Sequence, residues 1–191
     1  MKRSTHIFAG MLLLLVIGAV FYVSQMSEHL PDNQVSARDY KNATYTVAGE
    51  KVRLVNGRSE TAVAPGSASR METRYFGNEI SKDLDGDGRD DIAFLITQNS
   101  GGSGTFFYVV AAVNKEHGYE GSDAVLLGDR IAPQATESGP GKSIIVNYLD
   151  RLPNQPMTAA PSDGKSMRLI LDARTMQFGV FHSGARKDTS L

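Results

Sequence analysis

The chain has 191 residues, a formal net charge of −1 and no cysteine. Its near-zero charge provides no general attraction for nucleic acid or for an anionic membrane surface, and the absence of cysteine excludes disulfides, thiolate zinc sites and a cysteine nucleophile. The glycine motifs of nucleotide-binding loops are missing as well, so neither a nucleic acid nor a nucleotide is expected as a partner.

Residues 1–24 are predicted to be an N-terminal membrane anchor. Lys2 and Arg3 precede an uncharged apolar stretch, residues 7–23, which would span about 26 Å as a helix. The basic pair places the N-terminus in the cytoplasm and the rest of the chain outside a bacterial inner membrane that is crossed once. No small-residue cleavage pattern ends the apolar run, which favours an uncleaved signal anchor over the alternative of a protein secreted after signal cleavage.

Residues 25–42 are polar without a clean period and are predicted to be a stalk, whereas residues 43–182 have the pattern of a β domain. Alternating or wholly apolar runs recur there between turn residues, which predicts one all-β domain, an antiparallel sandwich or a small barrel. The predicted strands are residues 43–47, 51–55, 74–76, 91–97, 105–113, 124–127, 130–136, 143–149, 167–172 and 176–181. Residues 183–191 are predicted to be a flexible tail.

Several segments of this domain carry specific predictions. The run 105–113 is apolar on both faces, which predicts a central strand covered on both sides. A tight turn at Gly49-Glu50 joins the first two strands. Residues 58–71, rich in Ser, Ala and Gly, predict a loop, and residues 98–104 predict a flexible turn. Residues 151–161 contain three prolines and predict a stiff surface excursion.

The segment from Asp83 to Asp91 contains five acids in nine residues, directly before an apolar strand. Packing does not explain so many like charges, but a hard divalent cation bound by oxygen ligands would neutralise them. Alternate side chains of the loop would turn inward, Gly88 would allow a sharp backbone turn, and the last acid would close the cage. The predicted ligands are Asp83, Asp85, Asp87, the backbone carbonyl of Arg89, and Asp91.

This spacing, DxDxDGxxD leading into an apolar strand, resembles the calcium loops of FG-GAP and related integrin-type repeats. The resemblance covers about 12 residues and implies a Ca²⁺ site, with calcium favoured over magnesium. In those families the loop recurs in every blade of a β-propeller, whereas this chain has one copy, so the resemblance implies the metal site and not the fold. The alternative is an exposed Asp-Gly turn that binds no metal.

A second, looser resemblance extends over most of residues 43–172. The stretches 128–134 and 147–151, together with Pro156-Met157 and the turn 98–104, are similar to a family of uncharacterised bacterial exported proteins, some of them lipoproteins. The resemblance implies an envelope location and no particular activity. A transmembrane anchor would take the place of the lipid anchor in a chain without cysteine.

Catalytic motifs are weak in this sequence, which has no G-x-S-x-G nucleophile elbow and no metal-ligand spacing among its histidines. Asp129-Arg130 and Asp150-Arg151 could supply paired carboxylates for acid–base catalysis, but local ion pairs that hold loops are the favoured interpretation.

Three hypotheses therefore remain. The first is a non-enzymatic binding module with one structural calcium ion, whose partner is an envelope protein or a glycan bound at the Gly-rich turn or the Pro-rich excursion. The second is an envelope hydrolase or glycan-acting enzyme that uses Asp129 and Asp150. The third is a soluble cytoplasmic or secreted protein, should the apolar N-terminus not be an anchor.

Overall fold

The computed structural model describes residues 39–181, apart from residues 65 and 67. The predicted anchor, most of the predicted stalk and the predicted tail lie outside these residues. Within the described part, no helix is both long enough and apolar enough to cross a membrane.

The described residues form twelve strands that pair antiparallel, preceded by one short 3-10 turn at Tyr40–Asn42. The prediction of an all-β, antiparallel domain is thereby confirmed. The strands are β1 Thr44–Val47, β2 Glu50–Arg53, β3 Arg58–Ala62, β4 Arg70–Lys82, β5 Asp91–Asn99, β6 Phe106–Lys115, β7 Gly118–Gly121, β8 Val125–Asp129, β9 Ala132–Ser138, β10 Ser143–Asp150, β11 Asp163–Asp172 and β12 Gln177–Phe181.

The strands are arranged in three sheets. β1 and β2 form a separate hairpin, β9 to β12 form a four-stranded sheet in chain order, and β3 to β7 form the central sheet in chain order. The long strand β6 has two partners on its outer side: β8 pairs with Phe106–Val109 and β7 pairs with Ala112–Lys115. β6 can serve both because its length of ten residues exceeds that of either partner.

The central sheet is covered on both faces, which gives the domain three layers. One face packs on the four-stranded sheet through a buried cluster that includes Leu95, Val109, Ile144 and Leu169. The other face packs on the hairpin through a second cluster that includes Tyr45, Leu54, Phe94 and Val110. Each fully buried side chain of this size contributes about 1.5–3 kcal/mol to folding. The prediction that residues 105–113 form a strand covered on both sides is confirmed.

Two edge strands depart from the sequence-based prediction. Residues 58–71 were predicted to be a loop, but β3 occupies 58–62 and only residues 63–69 connect it to β4. β3 carries charged and polar rather than large apolar residues, pairs with β4 along its length, and places Arg58 2.7 Å from Glu72 on that strand. The short strand β7 was not predicted, since its sequence GYEG has no strand period.

The N-terminal boundary of the domain lies earlier than the predicted end of the stalk at residue 42. Asn42 is buried, and its side-chain carbonyl accepts a hydrogen bond from the Asn56 backbone N–H at 2.7 Å. The Tyr40 hydroxyl donates to Glu79 Oε1 at 2.5 Å. The first hairpin also turns at Ala48-Gly49, both with positive φ, rather than at Gly49-Glu50. Residues 39–42 therefore belong to the β domain.

Candidate metal centre

The acidic loop, residues 83–90, connects β4 to β5 at one end of the domain. β5 begins at Asp91 and β6 ends at Lys115, so the turn after β6 lies at the same end. The β9–β10 turn also reaches it, because Lys142 contacts the loop. We call this the acidic end. Its position at the start of a buried strand explains how a loop rich in charge is held against the core.

Three carboxylates converge at the acidic end. Asp83, Asp85 and Asp91 each offer one oxygen atom, and these atoms all lie within 4.8 Å of one another. Two oxygens that share one calcium ion at 2.3–2.6 Å lie no more than about 5 Å apart. The spacing is therefore compatible with a single cation, and three of the five predicted ligands are brought together.

Asp91 is the structural centre of the loop. Its side chain is completely buried, and Oδ2 accepts hydrogen bonds from the backbone N–H groups of Leu84 at 2.9 Å and Asp85 at 3.3 Å. Oδ1 accepts from the Asn114 N–H at 2.8 Å, which ties the loop to β6. Burial raises the pKa of Asp91 above its usual value, although these hydrogen bonds act in the opposite direction.

Asp83 organises the tip of the loop. Its two carboxylate oxygens accept hydrogen bonds from the backbone N–H groups of Gly86 at 2.5 Å and Gly88 at 3.1 Å. Both glycines have positive φ, 89° and 87°, a conformation that is costly for residues with a Cβ. The alternation of Asp and Gly thus folds the chain back over the Asp83 carboxylate, as the spacing predicted for Gly88.

Two lysines that are distant in sequence contact Asp85. Lys115 Nζ lies 2.8 Å from Asp85 Oδ2, and the Asp85 side chain is 7 % exposed. Lys142 Nζ donates to the backbone carbonyl of Asp85 at 2.5 Å. The hydrogen bond from Lys115 is the main reason that the pKa of Asp85 is lowered, and the same bond raises the pKa of Lys115. Sequence analysis missed both lysines.

The other predicted ligands are placed differently. Asp87 is not in the group of three, because its Oδ1 accepts from the Arg89 N–H at 2.9 Å and its Oδ2 pairs with the Arg89 guanidinium at 2.5 Å. The role of the Arg89 carbonyl as a ligand stays a prediction. Asp90 is exposed and accepts a hydrogen bond from the Ser81 hydroxyl at 3.1 Å, as expected for a side chain outside the cage.

Asp129 and Asp150, the carboxylates of the hydrolase hypothesis, lie at the opposite end of the domain and near each other. A Cβ added at Gly128 would lie 3.8 Å from Asp150 Oδ2. Asp129 is committed to local structure, since Oδ1 accepts from the Thr105 N–H at 2.8 Å and Oδ2 pairs with Arg130 at 3.0 Å. The ion-pair interpretation of Asp129-Arg130 is confirmed.

The Asp150-Arg151 pair is different. The Arg151 guanidinium donates to backbone carbonyls of Ala159 at 2.8 Å and Arg130 at 2.9 Å, while the Asp150 carboxylate accepts the Arg151 backbone N–H at 2.7 Å. Arg151 therefore holds the Pro-rich excursion to the corner after β8.

No protein-family model, curated protein or solved structure matches the chain. The candidate metal centre accordingly rests on the arrangement of its own residues. What that arrangement can do chemically is clear: three carboxylates within reach of one another can hold a cation.

Proposed function

We propose that the loop Asp83–Asp91 binds one calcium ion and that the ion stabilises an extracytoplasmic β domain that acts as a binding module. The observation that carries the proposal is the convergence of the Asp83, Asp85 and Asp91 oxygens within 4.8 Å. These groups come from a loop and a strand start, and their negative charges repel one another. A bound divalent ion would turn this repulsion into attraction.

The chemistry of the loop favours calcium over magnesium. Calcium accepts six to eight oxygen ligands in flexible geometry, and a short loop can offer carboxylate and carbonyl oxygens together. Magnesium requires a near-ideal octahedron at about 2.0–2.1 Å, so that its ligands lie no more than about 4.2 Å apart. The resemblance of the DxDxDGxxD spacing to FG-GAP calcium loops supports the same choice, and it adds Asp87 and the Arg89 carbonyl as further ligands.

The proposed location agrees with the proposed ion. The apolar residues 7–23, with Lys2 and Arg3 before them, would hold the domain at the outer face of a bacterial inner membrane. A single loop of modest charge binds calcium with a dissociation constant of about 10⁻⁴–10⁻³ M, which is useful only where calcium is plentiful, outside the cytoplasm. Location and affinity are separate arguments that point to the same role.

A binding role is favoured over hydrolysis by the way Asp129 is used. Both carboxylate oxygens of Asp129 have partners within the protein: one accepts a backbone N–H and the other pairs with Arg130. A general acid or base needs an oxygen that can exchange a proton with a substrate. The proposed partner is an envelope protein or a glycan.

Unfolding of the full chain by urea, with and without calcium, tests the calcium site. With the stated dissociation constant, 10 mM calcium is expected to stabilise the wild type by about 1.4–2.7 kcal/mol. The double variant Asp83→Asn, Asp85→Asn should lose this gain, because two of the three converging carboxylates become neutral amides that coordinate calcium weakly.

The matched control is Asp90→Asn, which makes the same chemical change at an exposed acid of the same loop. This variant should keep the full calcium effect. Wild-type unfolding that is identical in calcium and in chelator would refute the site. An equal gain from magnesium would leave the site standing and contradict the choice of metal.

A further inference from the structure

We infer that Lys115 and Lys142 form a built-in counter-ion for the acidic loop, which occupies the loop when metal is absent and is displaced when the ion binds. The inference rests on the proposed calcium site and adds a competitor to it. The two lysines come from different turns, one at the end of β6 and one between β9 and β10. Their shared target is Asp85.

Lys115 contacts one of the two Asp85 oxygens that a metal could use. Asp85 Oδ1 accepts the Asp87 backbone N–H at 3.0 Å, and Oδ2 faces Lys115 Nζ at 2.8 Å. The Asp85 side chain is 7 % exposed, while that of Lys115 is 40 % exposed. The ammonium therefore reaches in from the solvent side and can swing out along its flexible stem. An ammonium and a calcium ion on the same carboxylate repel each other, so calcium binding is expected to drive Lys115 away from Oδ2.

Lys142 closes the loop from the facing sheet. Its Nζ lies 2.5 Å from the Asp85 carbonyl oxygen, against the backbone at Gly86. A Cβ built at Gly86 would lie only 1.9 Å from this nitrogen. The absence of a side chain at residue 86 thus provides the space in which the ammonium sits. Lys142 itself is exposed, so its displacement needs no rearrangement of the core.

The two ammonium groups explain how the loop stays folded without metal. They place two positive charges beside a group of three carboxylates, which reduces the repulsion among them. The same ammonium groups lower the affinity for calcium, because Lys115 pairs with a ligand carboxylate and Lys142 adds a second positive charge beside it. The loop would therefore respond to millimolar calcium and ignore the micromolar concentrations of a cytoplasm.

Calorimetric titration of the full chain with CaCl₂ tests the inference. Lys115→Gln should raise the calcium affinity about tenfold, since a competing charge is removed from a ligand oxygen. Lys142→Gln should raise it less, about threefold, because its partner is a neutral carbonyl. Lys165→Gln removes an ion pair with Asp163 on β11, away from the loop, and should leave the affinity unchanged.

The outcomes separate the two proposals. Absence of binding to the wild type and to all three variants would refute the calcium site and the counter-ion together. Binding to the wild type with unchanged or weaker affinity in Lys115→Gln and Lys142→Gln would overturn the counter-ion alone. A second measurement, urea unfolding in chelator, should show Lys115→Gln to be less stable than Lys165→Gln; equal stability would also overturn it. Because Lys142 is exposed, its variant tests the inference even if Lys115→Gln fails to fold.

Discussion

The two ends of the β domain are closed by loops that use charged side chains in different ways. At the acidic end, three carboxylates converge on one another and are balanced by lysines from distant turns. At the opposite end, Asp129 and Arg151 each bind backbone groups of neighbouring loops, and no comparable convergence of carboxylates was found there among the described residues. Both arrangements hold loops in place, but among the described residues only the first brings three carboxylates together.

This difference shows where a ligand can act. A carboxylate that receives a backbone N–H and an adjacent arginine has its charge satisfied within the protein, as Asp129 does. Asp85 also receives a backbone N–H and an ammonium, but the carboxylates of Asp83 and Asp91 lie close to it and repel its charge. A cation is thus expected to change the stability of the acidic end and to leave the opposite end unaffected.

Among these substitutions, Asp91→Ala is expected to cause the largest loss of stability. The substitution leaves three backbone N–H groups without the buried carboxylate that accepts their hydrogen bonds. The expected loss is about 3–5 kcal/mol in the free energy of unfolding, measured by urea denaturation in chelator. The effect should be present without calcium, because these hydrogen bonds belong to the loop and not to the ion.

Asp90→Ala is the control for this substitution, since Asp90 is the adjacent acid but is exposed. Its carboxylate accepts a hydrogen bond from the exposed Ser81 hydroxyl, so a loss below about 1 kcal/mol is expected. Equal losses for the two variants would contradict the central structural role of Asp91.

Arg151→Ala tests the opposite end and should have the second largest effect. The guanidinium donates to the carbonyls of Ala159 and Arg130 and so holds the excursion to the corner after β8. Hydrogen bonds from a charged group contribute about 1.5–3 kcal/mol, and a loss of about 2 kcal/mol is expected. Urea unfolding should give the same loss with and without calcium.

Arg174→Ala provides the baseline for that measurement, because its side chain is 89 % exposed and its ion pair with Asp172 is local. Little change in stability is expected from it. A loss in Arg151→Ala that varied with calcium would mean that the two ends are coupled, contrary to the comparison.

The fold could be predicted from the sequence where strands are apolar and buried. β5, β6 and β10 have runs of aliphatic and aromatic residues, and their predicted positions agree with the structure to within a few residues. β3 and β7 were missed, because an edge strand can be stabilised by cross-strand charges or by a few backbone hydrogen bonds alone. Neither feature leaves an apolar period in the sequence.

The candidate site could be predicted in part. The spacing of acids and glycines located the loop, and Asp83, Asp85 and Asp91 are brought together as predicted. The two lysines could not be predicted from the sequence, since their contacts with Asp85 span 30 and 57 residues and depend on which strands are neighbours. Local spacing therefore predicts candidate ligands, whereas their competitors depend on sheet topology.

The smallest expected effect is a pH dependence of stability at the acidic end, which Asp85→Asn should remove. The hydrogen bond from Lys115 is the main cause that holds the pKa of Asp85 below its usual range. An acid with a lowered folded-state pKa adds stability that is complete above its unfolded pKa, about 3.9, and is lost as the pH falls through the folded value. In chelator, the stability gap between wild type and Asp85→Asn should be constant above about pH 5 and should narrow below about pH 4.

Lys115→Gln removes the donor of the same hydrogen bond. The difference in free energy of unfolding between this variant and the wild type should therefore narrow over the same pH range. Urea unfolding at several pH values between about 3 and 6 measures both gaps. Gaps that remain constant down to about pH 3 in both variants would mean that the ion pair adds no stability. The acidic end would then be held by the hydrogen bonds between its carboxylates and backbone N–H groups.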